Sequence, residues 1–163
     1  MQTTLYPKTR RAADPRPLKP GKNNMKLGWI VRKGPLKGAR IFALALEERA
    51  TCPASCGLWQ RCYGNHMPFA ARQVVNEHLL LTINAQLDEL CARYPKVLVR
   101  LHVLGDFPSV AYVEFWDAQL FAHPNLYIWG YTHHLPDSPI GQAIARLCAH
   151  PRCRILHSQE VLE

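Results

Sequence analysis

Short apolar runs alternate with segments whose apolar residues recur at helical spacing, from residue 39 almost to residue 157, and this alternation restricts the fold more than any single motif does. Residues 39–46, 97–104, 126–131 and 154–157 read as strands. Residues 68–93, 109–122 and 138–149 read as helices. Ser109 is a natural cap for the second helix, and Pro95 and the His123-Pro-Asn125 stretch stop the first two. Strict strand-helix alternation implies parallel strands joined by right-handed crossovers. The expected class is α/β, with about four parallel strands and three helices. An open sheet and a partial β/α barrel both satisfy the pattern. A closed eight-unit barrel takes roughly 250 residues, and this chain has 163. A partial barrel leaves room for a protein partner or self-association to complete it. The glycine-rich stretch 21–40 adds turns around a short strand over 27–32.

In either arrangement ligands sit at the carboxyl ends of the strands. The segments expected there are the loop after the first strand, Gly105-Asp106, Thr132-His133 and His157-Ser158. Asp106 can serve a ligand or bond backbone amides in its turn. His102 lies mid-strand and is expected in the core, whereas His133 and His134 end a strand. Tyr63 and Trp129 are expected to be packing residues.

Charge divides the chain. Lys8, Arg10, Arg11, Arg16, Lys19, Lys22, Lys26, Arg32, Lys33, Lys37 and Arg40 face only Asp14 before position 41, although the whole chain carries a net +8. Residues 1–22, with Pro7, Pro15, Pro17 and Pro20, are expected to form a flexible basic arm, and residues 23–163 one α/β domain. Such an arm suits nucleic acid; a solvated tail is the plainer reading. No apolar run approaches the roughly 20 residues of a membrane helix. The amino terminus lacks the apolar stretch of a secretory signal, so a cytoplasmic protein with no membrane association is expected.

In a reducing compartment six cysteines ask for metal or redox chemistry rather than disulfides. Cys91 and Cys148 suit small buried positions. Cys52, Cys56 and Cys62 do not, because Pro53, Ser55, Gly57, Gln60 and Gly64 surround them with loop-forming residues. Three thiols on one loop can converge on a single centre. One candidate is a [4Fe-4S] cluster that leaves an iron without a protein ligand. The other is zinc, with His66 completing a Cys-Cys-Cys-His set and Trp59, Arg61 and Tyr63 offering a stacking surface for single-stranded RNA. That second centre would make a binding module for nucleic acid or a host protein, without catalysis. Cys153 is an alternative fourth thiol, which would close the cluster.

The stretches Asn24-Met-Lys-Leu-Gly28, Thr51-Cys-Pro-Ala-Ser-Cys56, Cys62-Tyr63, Arg100-Leu-His-Val-Leu-Gly-Asp-Phe107 and Trp129-Gly-Tyr-Thr132 occur in an order that resembles the phage gene product 88 family, whose members look like small radical S-adenosylmethionine proteins. The resemblance runs from about Asn24 to the end. It implies a partial radical-enzyme barrel and a [4Fe-4S] cluster on Cys52, Cys56 and Cys62, whose open iron binds S-adenosylmethionine. With an electron donor, reductive cleavage would release a 5′-deoxyadenosyl radical. It also implies cofactor contacts at Gly105 and Asp106, joined at the strand ends by Thr132 and Ser158, and a location in the host cytoplasm. Substrate and catalytic residues are left unnamed.

Overall fold

The computed structural model describes residues 3–24, 26–56 and 60–158. Seven strands and three α-helices follow one another as β1 (Arg10–Arg11), β2 (Lys19–Pro20), β3 (Arg40–Leu44), β4 (Arg72–Gln73), α1 (Glu77–Arg93), β5 (Val97–Leu101), α2 (Val110–Ala122), β6 (Leu126–Thr132), α3 (Pro139–Leu147) and β7 (Cys153–His157). The main sheet has the order β2-β3-β5-β6-β7. β3, β5, β6 and β7 are parallel, and β2 runs antiparallel along the outer edge of β3. The alternating elements thus form a mixed α/β fold with an open sheet: β2 and β7 are its two edges, and no barrel closes.

Sequential winding in one direction puts all three helices on one face. Phe42, Leu44, Val97, Val99, Leu101, Leu126, Ile128 and Ile155 point to that face and form one core with Ile83, Leu87, Trp116, Leu120, Ile144 and Leu147. The intervening strand residues face the other way. There Ile41 and Leu98 meet Leu27, Val31 and Leu36, which cover only part of that face.

Helix starts follow side-chain caps. The Asn76, Ser109 and Ser138 side chains accept from the amides of Leu79, Tyr112 and Gly141 respectively. The first of these corrects the expectation of a helix from residue 68. Residues 72–73 are extended and pair with β1, and the β-branched Val74 and Val75 precede the true cap. The expected strand over 27–32 is reduced to one bridge between Ile30 and Arg40.

The amino-terminal segment also departs from expectation. Instead of a solvated arm, residues 3–20 lie against the domain. Leu18 is 1% exposed within the core, its amide donating to the Gln86 side chain and its carbonyl accepting in return. β1 pairs with β4, and β2 joins the main sheet. Three of the arm's cations are spent on ion pairs, Arg10 with Glu47, Arg16 with Glu89 and Lys19 with Asp14. Local proline content predicted an open chain, but Leu18 supplies a buried anchor, and Pro20 is tolerated on an edge strand that needs no amide from it.

Candidate functional site

The cysteine loop leaves the carboxyl end of β3 through Leu46, Glu47 and Glu48, all almost fully buried. Two buried acids after an apolar strand need partners. Glu48 finds Arg72 at 2.7 Å, both side chains being at most 1% exposed, and accepts from the Thr4 hydroxyl at 2.6 Å. Burial alone would raise the Glu48 pKa, but hydrogen bonds from Arg72 and Thr4 outweigh it and hold the carboxyl below its ordinary range. Arg72 donates further to the Thr9 hydroxyl and to the carbonyls of Ala70 and Gly64, and its guanidinium lies 5.1 Å from the Tyr6 ring. The Tyr6 hydroxyl donates to the Asn65 carbonyl. Glu47 accepts from the Thr4 amide and from Arg10. The amino-terminal segment is therefore a strap, tied through Glu47, Glu48 and Arg72 to both ends of the cysteine loop. None of these residues is marked by a motif. The adjacent acids after a buried strand were the one signal available.

Cys52, Cys56 and Cys62 are partly buried in this frame. The Cys56 amide closes a turn onto the Pro53 carbonyl, and the Asn65 amide closes another onto the Cys62 carbonyl. Burial is the largest influence on the Cys52 thiol. With added repulsion from Asp106, Cys56 and Cys62, it overrides a backbone hydrogen bond at Arg49 and pushes the pKa up to about 12. The three thiols thus share one electrostatic neighbourhood. Among the described residues, however, no group of three or more histidine, cysteine, aspartate or glutamate side chains stands in a metal-holding arrangement. His66 is exposed at the end of a short 3-10 turn, Tyr63–His66. Trp59 lies outside the described residues.

Cys153 is at the wrong end of the sheet to be a fourth ligand. It begins β7, in register with Ile128, whereas the cysteine loop follows the end of β3. Its sulfur is 3.4 Å from that of Cys148, just past α3. That hydrogen bond holds the Cys148 thiol down to about 7 and raises Cys153.

Gly105, Asp106, Thr132 and Ser158 come together at the carboxyl ends of β5, β6 and β7. Gly105 has φ +81°, and a Cβ there would stand 2.5 Å from the Thr51 hydroxyl and 2.9 Å from Leu46 Cβ. The glycine is therefore required by the cysteine loop packed on it. Asp106 is 1% exposed. Its Oδ1 accepts from the Phe107 amide and the Thr132 hydroxyl, and its Oδ2 from the His133 amide, each at 2.8 Å. The Thr132 carbonyl accepts from the Ser158 amide. The carboxylate thus fastens the end of β6 to the turn after β5, and the Ser158–Thr132 backbone bond adds the end of β7. His134 also faces inward, with Nε2 2.6 Å from the Phe107 carbonyl; since a carbonyl only accepts, that nitrogen carries the proton. His102 is a core residue, its Nε2 2.7 Å from the Tyr112 hydroxyl and its ring edge-on to Phe107.

Against known proteins, residues 17–139 match the family model described as Gene product 88. No curated protein and no solved structure matches the chain. The matched span takes in β2, the strap's contact with α1, the cysteine loop and the Asp106 junction. The chain belongs to the phage Gene product 88 family.

Proposed function

We propose that this protein holds an iron-sulfur cluster on Cys52, Cys56 and Cys62 and works as a small radical S-adenosylmethionine-like protein. The observation that carries the reading is the shared field of the three thiols at the strand ends. Burial, with Asp106, Cys56 and Cys62 nearby, opposes ionisation of the Cys52 thiol, and a cationic centre is the ordinary way to reverse that opposition. The donor set suits an iron-sulfur cluster in type, three thiols with no fourth alongside. Because the thiols do not already form a closed cage, assembly of the centre would draw the loop together, as metal binding does when it is coupled to folding.

When bound, such a cluster supplies an iron without a protein ligand, where S-adenosylmethionine can chelate and be reductively cleaved. The chain's own residues provide the surroundings. Thr51 and Gly105 seat the loop, Asp106 joins the β5 and β6 ends beside it, and the Ser158 amide ties β7 to the Thr132 carbonyl. Gly105, Asp106, Thr132 and Ser158 form the floor of the proposed cofactor site. Asp106 contributes through the backbone it orders, since its own oxygens already accept three hydrogen bonds.

The test is 5′-deoxyadenosine production by anaerobically reconstituted protein given S-adenosylmethionine and dithionite. The reading expects product from the wild type and none from Cys56→Ala. Equal traces from both proteins would remove the catalytic part of the proposal.

A further inference from the structure

The sheet face opposite the helices carries a row of aromatic rings and cations that the proposed cluster site does not use. Tyr127, Trp129 and Tyr131 alternate along β6 with Ile128 and Leu126, which face the helical core, so the three rings share the open face. Across the strands Arg100 pairs with Trp129, and Trp129 with Arg154. The Arg100 guanidinium lies 5.0 Å from the Tyr131 ring centre and 6.0 Å from that of Trp129. Tyr131 is 49% exposed, and Arg154, opposite Trp129 on β7, is exposed as well. A cleft of about 610 Å³ continues the row toward the amino ends of the strands, bounded by Leu36, Tyr127, Trp129, Lys33 and Arg154.

Charge is segregated about this face. Among the described residues, Glu77, Asp88, Glu89, Glu114 and Asp117 lie on α1 and α2, and Asp137 just precedes α3. Glu47, Glu48 and Asp106 are buried, and Asp14 is paired with Lys19. Among the described residues no acid lines the cleft, whereas Arg32, Lys33 and Lys37 add exposed cations on the loop at its side.

We infer that the open sheet face binds single-stranded nucleic acid, with bases stacked on Trp129 and Tyr131 and phosphates held by Lys33, Arg100 and Arg154. Rings at alternate positions on a sheet offer a platform that accepts unpaired bases of any sequence, and adjacent cations track the backbone. A duplex keeps its base faces stacked inside and cannot use the rings. The surface lies on the β6–β7 side of the sheet, away from the strap, whose β1 and β2 run along β4 and β3.

Fluorescence anisotropy with a labelled, mixed-sequence single strand of about 16 nucleotides tests the inference. Affinity should fall steeply with salt, and the matching duplex should bind more weakly. Loss of one stacking ring by Tyr131→Ala should weaken binding about tenfold, and Tyr131→Phe should retain it. Arg154→Glu should weaken binding and flatten the salt dependence, whereas Lys8→Glu with Arg11→Glu on the strap should not. Both changed face residues are exposed, and unchanged thermal midpoints check that the variants fold. Salt-insensitive binding, or affinity that follows the strap variant instead of Tyr131 and Arg154, would overturn the inference. So would a dimer that Tyr131→Ala dissociates in a protein that takes up no oligonucleotide.

Discussion

The Thr51 hydroxyl, one residue before Cys52, accepts the Asp106 amide at 3.0 Å and donates to the Glu47 carbonyl at 2.8 Å. This pair of bonds seats the cysteine loop on the turn that ends β5. Thr51→Val keeps the shape but leaves the buried Asp106 amide without its acceptor. The expected cost is about 1–3 kcal/mol of stability, read from urea unfolding, together with faster alkylation of Cys52 in the folded protein. An unchanged midpoint would show that the loop is seated by other contacts.

Arg72 and Glu48 form the buried ion pair beneath the same loop. Arg72→Ala removes one partner and strands a carboxylate in the interior, which should destabilise the protein by about 3–5 kcal/mol. Replacing both, as Arg72→Met with Glu48→Leu, should cost less than the single change. Double-mutant unfolding measurements check the order, and equal losses would mean that the carboxylate is already solvated.

His102 sets a pH dependence. Burial, and then the neighbouring Arg100, push its pKa from 6.5 down to about 3. Between those values the unfolded chain binds a proton that the folded chain does not, so stability is fully present above about 6.5 and declines as pH falls toward 3. From about pH 7 to about pH 5 the loss should reach about 2 kcal/mol. His102→Gln, which retains a polar partner for Tyr112, should flatten that part of the curve in urea midpoints taken across the range.

Much of the architecture was readable because its causes are local. Ser109 and Ser138 mark helix starts through their own hydroxyls, and the apolar runs over 97–104 and 126–131 can be little else than buried strands, although the first leaves the sheet after Leu101 and the second extends to Thr132. The start of α1 was misplaced because Pro68 resembles a helix-starting proline, whereas Asn76 holds the cap. The strap was missed for a different reason. Its order comes from Leu18, Thr4 and Tyr6 meeting Gln86, Glu48 and Asn65, contacts between positions far apart in the chain. The strand-end gathering of Gly105, Asp106, Thr132 and Ser158 followed from topology. Only geometry decides that Asp106 bonds the protein itself, the second of its two readings, or reveals that Cys153 lies at the opposite end of the sheet.

The thiol pair at that far end makes its own prediction. With Cys148 held down to about 7 by the Cys153 hydrogen bond, iodoacetamide should label Cys148 ahead of Cys52, Cys91 and Cys153, whose thiols are pushed up, near neutral pH. Cys153→Ser should slow that labelling, shifting its pH midpoint upward, and peptide mass mapping reads both outcomes. Preferential labelling of Cys52 instead would contradict the assigned order of acidity, since burial pushes that thiol up.

The most direct measurement is the iron, acid-labile sulfide and zinc content of anaerobically purified and reconstituted protein, with its visible absorption. A cluster on Cys52, Cys56 and Cys62 predicts a brown protein with near-equal iron and sulfide, lost on Cys56→Ala and retained on His66→Ala. Stoichiometric zinc without sulfide, abolished by His66→Ala, would contradict it.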